Sequence, residues 1–477
     1  MKHASLRIGI FALMIGATPA FASAPIGWTG DAQPGSGPGS LTIAGGWTLD
    51  PAHPCQATEA YVELFELDDN GVVGALLAAA WVNSTDYRPD VNAIYCPGST
   101  IPHGFEFSAA VPQRSGYYVR ARGLGLDAGD VNAWLNDDHR FARRAVGNRD
   151  IFLRYRGAMT GVVRANNYES YPTVMNDNGV YKMWFAGGVG DKIYYATNST
   201  GDPVNGAGWK TDWTEIVTES PVASKLDSGL VADPSVVKAD GTFFMMYTAT
   251  PKSGDCNRIF GAVSRDGVRW TKLDGAKRSP DNDPSPLIIP QTCVQYGAGQ
   301  SSLIFGDNLP VGNTYRVGHG FVQFHTDTTA PGGGALLRTS EDGGWSWVYR
   351  SNLMMSNPPL GDVTWDFKYV AWSGQYFGAV AIPGDIGSDG FRHGDIGMTV
   401  GDGVNFVSEV RVPMMVLNPN PMQQCINNGG LLGNANGQIV DNRTVFYFGA
   451  GYLMNNDKYS RWPPNDWDIH AVDIKIY

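Results

Sequence analysis

The chain has 477 residues, 43% hydrophobic and 17% charged, a globular balance with material for more than one core, so two domains are expected. Its formal charge of −11, with no basic run, argues against nucleic acid and anionic lipid as partners and leaves neutral substrates open. Sixty Gly, 29 Pro and 12% aromatics without long helical periodicity predict many short strands joined by tight turns, an all-β protein.

In chain order, Lys2 and Arg7 precede an apolar run from Ile8 to Ala17 and a small-x-small site, Ala20-Phe21-Ala22. Residues 1–22 therefore read as a secretory signal peptide, too short to span a membrane. Removing Lys2 and Arg7 with it takes the charge to −13. No later apolar run approaches membrane length, so a secreted or periplasmic protein without a spanning segment is expected.

Residues 25–125 predict a small β-sandwich, with strands at Ala60–Leu67 and Tyr117–Gly125 and a hairpin tip at Asp69-Asn70-Gly71. Arg88-Pro89-Asp90-Val91 and Gly104-Phe105 in this part resemble an accessory module of bacterial glycan-handling proteins. The polar residues 126–150 read as a linker. Export permits disulfides, and the spacing of the five cysteines suggests Cys55 with Cys96 and Cys256 with Cys293, although other pairings stay open; Cys425 reads as a buried thiol.

From about residue 151 to 477 a repeat emerges. YPTVM at Tyr171, DPSVV at Asp233, QSSLI at Gln300, DFKYV at Asp366 and NGGLL at Asn428 stand 62, 67, 66 and 62 residues apart. Each is followed by a turn, an aromatic strand and a third strand, and the first four by a closing turn. Four strands per unit and five units predict a five-bladed β-propeller after the sandwich. The segment Ser340–Trp347 fits the Asp-box turn of sialidase-like propellers, and Asp342 and Trp347 read as structural.

The first strand of each blade lines a propeller's channel, so Tyr171, Asp233, Gln300, Asp366 and Asn428 are expected to form a polar ring at one mouth. The blade openings, with ADPSVV at Ala232 and YGAGQSSLIF at Tyr296, resemble the five-bladed glycoside hydrolases: arabinanases, β-xylosidases and arabinofuranosidases, with invertase-type fructosidases as cousins. The resemblance covers about residues 150–477. It implies three acidic groups at the mouth: a base or nucleophile from the first blade, an orienting Asp from the second and an acid Glu from the third. Asp233 matches the second. Tyr171 and Gln300 stand where the other two are expected, and Gln300 cannot donate a titratable proton.

Cleavage of a glycosidic bond ordinarily needs two such groups. Glu169 lies two residues before Tyr171 on the same strand side, and Asp366 opens the fourth blade, so Glu169, Asp233 and Asp366 are the catalytic candidates. Tyr171, Gln300, Asn428, Trp365 as a stacking platform and His319 are the substrate-binding candidates, and His319 and His393 with Asp395 could also serve as acid or base. The bland readings are an ion pair of Asp366 with Lys368 and a loop-capping Glu169. No cofactor is expected; the Asp-rich loop at Asp281 is a weak signal for Ca²⁺. The leading function is an exported hydrolase of a neutral oligo- or polysaccharide. A glycan-binding propeller without catalysis and a surface-assembly protein are the alternatives.

Overall fold

The computed structural model describes residues 24–36, 39–126, 133–135, 139–162, 169–188, 192–222, 224–254, 256–281, 284–290, 292–293, 296–329, 334–355, 365–384, 393–420, 425–451 and 467–477. Residues 1–22, expected as a signal peptide, lie outside them. No described helix is long and apolar enough to cross a membrane.

Five antiparallel sheets follow one another along the chain. Blade 1 comprises Ser170–Asp177, Val180–Gly187 and Lys192–Asn198, with Trp209–Thr211 and Val217–Thr218 outermost. Blade 2 runs through Leu230–Ala239, Thr242–Thr250, Arg258–Ser264 and Thr271–Asp274. Blade 3 is Ala298–Val311, Tyr315–Asp327, Ala335–Ser340 and Val348–Asn352. Asp366–Val370, Gln375–Ile382, Asp395–Gly401 and Val410–Pro413 build blade 4.

Blade 5 takes three strands from the C-terminal end, Cys425–Asn434, Arg443–Gly451 and Trp467–Ile476. Its fourth, Arg149–Ala158, comes from the chain before blade 1 and pairs antiparallel with Trp467–Ile476. The innermost strands pack in succession, and that of blade 5 lies parallel to that of blade 1, which closes the circle. The molecule is a five-bladed β-propeller latched by its own N-terminal side.

Both faces of each blade are buried, so blade strands read as apolar runs rather than alternating ones. Successive residues point to opposite faces, and Met183 and Phe185 pack towards blade 5 while Trp184 joins Met245 and Tyr247 of blade 2. Phe244 and Met246 meet Leu303 and Phe321 between blades 2 and 3. Phe324 and Phe367 meet between blades 3 and 4, and Phe377 and Phe446 between blades 4 and 5. Five such wedges replace a single central core.

The Asp-box turns are structural. In blade 3 Asp342 Oδ1 accepts the N–H groups of Trp345 and Ser346, and Trp347 Nε1 donates to the Gly344 carbonyl at 2.8 Å. Blade 2 repeats the device with Asp266, Gly267 and Trp270.

Before the propeller, two sheets share one cluster of buried side chains, including Leu41, Ile43, Val62, Leu64, Phe105 and Val119. The sequence reads 126–150 as a linker, but His139–Val146 is a strand within it, because Phe141, Ala142 and Val146 are apolar and fully buried. It pairs with Gly116–Gly123 on one side and with the latch strand Arg149–Ala158 on the other. One hydrogen-bonded sheet thus runs from the N-terminal part into blade 5.

Cys55 bonds Cys96 and Cys256 bonds Cys293, as the spacing suggested, and Cys425 is buried outside both disulfides. Asp281 of the Asp-rich loop forms an ion pair with Lys277 at 2.7 Å; Asn282 and Asp283 lie outside the described residues. No cluster of acidic, His or Cys residues suited to a metal occurs among the described residues.

Candidate functional site

Each of the inner strands of blades 1, 2, 3 and 5 carries a β-bulge near its start, with register breaks at Ser170/Thr173, Ala232/Ser235, Gly299/Ser302 and Asn427/Gly429. The bulged residues are Tyr171, Asp233, Gln300 and Asn428, with φ of 51°, 51°, 57° and 43°. Non-glycine residues rarely hold left-handed backbone, and Tyr, Asp and Gln do so here at equivalent points of successive blades. A bulge re-aims a side chain out of the pleat, and those of Tyr171, Asp233 and Gln300 meet at one mouth.

Tyr171, Asp233 and Gln300 line a cavity of about 20 Å³ there, with Trp365, Asp366 and Gly429 also on its wall. That is room for a single water. Gln300 Nε2 donates to the Tyr171 hydroxyl at 3.2 Å, so two of the ring residues engage each other across the mouth.

Just inside the ring, hydroxyls tie each blade to the next. Val236 N–H donates to Thr173 Oγ1 at 3.4 Å, Leu303 N–H to Ser235 Oγ at 2.9 Å and Phe367 N–H to Ser302 Oγ at 2.9 Å. Leu431 N–H donates to Asp366 Oδ2 at 2.6 Å in the same way. The cross-strand pairs agree: Thr173 faces Trp184, Ser235 faces Met246, Ser302 faces Phe324 and Asp366 faces Ala379.

Asp366 is therefore the counterpart of Ser302 and not of Gln300. The expected ring position of Asp366 is thus two residues out of register with those of the other blades, and the residue two before it, Thr364, lies outside the described residues. Asp366 also accepts from Ser302 Oγ at 2.5 Å and from Lys368 Nζ at 2.8 Å. Both of its oxygens are occupied by donors, and it serves as a strut between blades 3, 4 and 5. The fifth counterpart is Gly430, where a Cβ would stand 1.8 Å from the Pro172 carbonyl, so the ring closes there on bare backbone.

Asp233 differs from Asp366 in having no cation beside it among the described residues. Burial drives its pKa from 3.8 up to about 7, against the opposing hydrogen bonds of Thr248 and Tyr296. The Tyr296 hydroxyl donates to Asp233 Oδ2 at 3.4 Å, and Thr248 Oγ1 accepts the Gln300 N–H at 2.9 Å. A carboxyl group poised near neutrality can give up or take a proton at the mouth.

Of the other candidates, Glu169 is fully buried, its backbone N–H bound to the Trp467 carbonyl at 3.2 Å, and it is not on the cavity wall. Asn428 sits in its bulge while its neighbour Gly429 supplies the wall. Trp365 reaches the wall, yet its ring stacks on Phe367 at 5.8 Å and only 5% of it is exposed, so most of its surface is core. His319 is displaced from the site: it pairs with Asp307, seven residues along the strand from Gln300 and roughly 23 Å away. There, at the opposite face, its ring lies between Asp307 at 2.6 Å and Asp240 at 3.1 Å, which raise its pKa.

Tyr296 and Thr248 were not marked as site residues by the sequence. The signal for the strut is partly present: Thr173, Ser235 and Ser302 are short polar residues followed by two apolar ones, whereas Asp366 is followed by Phe367 and Lys368.

No family model matches the chain. Two uncharacterized proteins of Mycobacterium tuberculosis, from two strains, are each 31% identical over 145 residues, 28% of this chain. The match spans 45% of the length of these relatives. Among solved structures, an α-L-arabinofuranosidase from Podospora anserina in complex with cellotriose is similar over 68% of this chain and 96% of its own, at 13% identity and TM-score 0.44. A family 117 glycoside hydrolase from Zobellia galactanivorans matches over 68% and 90% at 15% identity and TM-score 0.44. A glycosyl hydrolase from Bacteroides ovatus matches over 64% and 84% at 14% identity and TM-score 0.40. The structural neighbours are thus five-bladed propeller glycoside hydrolases at low identity, and the propeller itself stands on the blade topology above.

Proposed function

We propose that the chain is an exported glycoside hydrolase that engages a neutral oligo- or polysaccharide at the ringed mouth of the propeller, with Asp233 giving its proton to the departing glycosidic oxygen as a water bonds to the anomeric carbon and yields a proton in turn. The observation that carries this reading is the buried carboxyl group of Asp233, held in a bulge at the mouth with a pKa near 7. A leaving alkoxide needs such an acid, and a carboxyl group that stays protonated near neutral pH supplies it. Tyr171, Gln300 and Asn428 would bind sugar hydroxyls around it. Two disulfides fit an oxidising compartment, in keeping with the expected export of the chain. The N-terminal part is read as a separate β-sandwich over about residues 25–125, joined to the propeller through the His139–Ala158 hairpin.

A second reading, a propeller that binds glycan without cleaving it, is favoured by the pinned carboxylate of Asp366 and by the Gln300–Tyr171 hydrogen bond. Both take up groups that hydrolysis would use. The test is product analysis on arabinan, xylan, fructan and β-mannan oligosaccharides with the wild type, Asp233→Asn and Glu169→Gln. Loss of cleavage in Asp233→Asn supports the hydrolase, and a matching loss in Glu169→Gln would give the second acidic role to that residue. Binding without cleavage by the wild type would establish the second reading.

A further inference from the structure

The N-terminal sheet has an outer face that the funnel does not explain. Ala60, Val62 and Leu64 of Glu59–Leu67, with Val119 and Ala121 of Gly116–Gly123, turn inward to the buried cluster. By alternation Tyr61, Glu63, Phe65, Tyr118, Arg120 and Arg122 turn outward.

Register then draws a straight row. Tyr61 stands opposite Trp81 on one side and opposite Arg122 on the other, and Arg122 stands opposite Trp134. Trp81, Tyr61, Arg122 and Trp134 thus cross four adjacent strands, a row about 14 Å long. Trp81 is 43% exposed and Trp134 49%. The guanidinium of Arg122 lies 4.7 Å from the Tyr61 ring centre, 5.7 Å from that of Trp81 and 5.8 Å from that of Trp134.

The two arginines of this face differ in one respect. Arg120 is neutralised by Glu63 at 2.8 Å. Arg122 forms no ion pair among the described residues, and its buried Nε has no hydrogen-bond partner there. An unneutralised guanidinium between flat apolar rings matches a ligand that alternates C–H faces with carboxylates, since Arg recognises carboxylate through paired N–H donors and aromatic faces take apolar ring surface. One unneutralised guanidinium beside the neutralised Arg120 is not the basic stripe that a phosphate backbone requires, and it suits carboxylates spaced along a chain of sugar rings.

We propose that this row is a second, non-catalytic glycan site that docks one chain of an acidic polysaccharide, with a uronic acid carboxylate on Arg122 and sugar faces on Trp81 and Trp134. It stands whether or not the propeller mouth cleaves its own glycan.

The experiment is affinity gel electrophoresis and calorimetry of the full chain with polygalacturonate and alginate, beside neutral arabinan and β-mannan. Retardation by the uronate polymers is expected, weakening with added salt and falling about tenfold or more in Trp81→Ala and in Arg122→Gln. Arg122→Lys should recover part of the binding, because it restores charge without the paired donors. Trp81 sits on an exposed edge strand, so Trp81→Ala should melt as the wild type does and keeps the test open if Arg122→Gln does not fold. The proposal is overturned if the uronates do not bind, if neutral polymers bind as well and indifferently to Arg122→Gln, or if light scattering shows a dimer that Trp81→Ala dissolves, since the face would then serve a second copy of the chain.

Discussion

Asp233 carries opposite consequences for stability and for chemistry. Its folded-state pKa of about 7 lies above the 3.8 of an unperturbed Asp. The folded protein therefore keeps a proton that the unfolded chain has released between about pH 4 and 7, and stability falls as pH rises across that window. The Asn variant is spared this loss, which is at most about 4 kcal/mol. Thermal melts at pH 4 and pH 8 should show Asp233→Asn gaining on the wild type at the higher pH; parallel melts would mean that the carboxyl group is not desolvated. Activity should move the other way, with turnover reduced by orders of magnitude in Asp233→Asn. If Asp233 acts as the acid, wild-type turnover should decline above about pH 7, which a pH–rate profile would reveal.

Among the elements, the inner strands are tied by one repeated contact with an ionic version in blade 4. Lys368 and Asp366 are both buried, and removing one partner leaves the other charged without compensation. Lys368→Met is expected to cost about 3–5 kcal/mol in denaturant unfolding, a larger loss than at an exposed pair. Asp366→Asn should lower stability while sparing turnover at a permissive temperature; a selective loss of turnover would restore Asp366 to catalysis. Mutating Cys55 and Cys96 to Ser together should cost about 2–5 kcal/mol, read as a lower melting temperature that reductant no longer affects. Much of this level was legible in the sequence. The repeat gave five blades because every blade faces two neighbours and must repeat its apolar strands, and the cysteine pairs followed from local spacing. The register of blade 4 was not legible, because Thr364-Trp365-Asp366 and Asp366-Phe367-Lys368 both present a polar residue before an apolar one, and only contacts made in the fold, with Ser302, Ala379 and Leu431, distinguish them. The bulges were hidden too: left-handed Tyr171 and Gln300 carry none of the Gly or Asn by which such backbone is ordinarily recognised. Nor did the polar residues around His139–Val146 announce a strand, since its inward positions are interleaved with Arg140, Arg143 and Arg144.

At the scale of the whole molecule, the N-terminal sheet and blade 5 are one hydrogen-bonded surface, so the propeller should depend on chain that precedes its first blade. A truncated chain beginning at His139 keeps the latch strand, whereas one beginning at Thr160 leaves Trp467–Ile476 with an open edge. The shorter chain is expected to aggregate and the longer one to retain a sharper unfolding transition, which size exclusion and circular dichroism would distinguish. The latch also sets an order in time. Arg149–Ala158 leaves the ribosome roughly 300 residues before its partner Trp467–Ile476, a wait on the order of 15 to 60 s at ordinary rates of synthesis. Throughout that interval the circle is broken, one strand is held ready without its mate, and the residues destined for the mouth have no mouth to line. The mouth thus has to wait for Trp467–Ile476, and a chain broken off before that strand would carry Asp233 and its neighbours without a circle to hold them together.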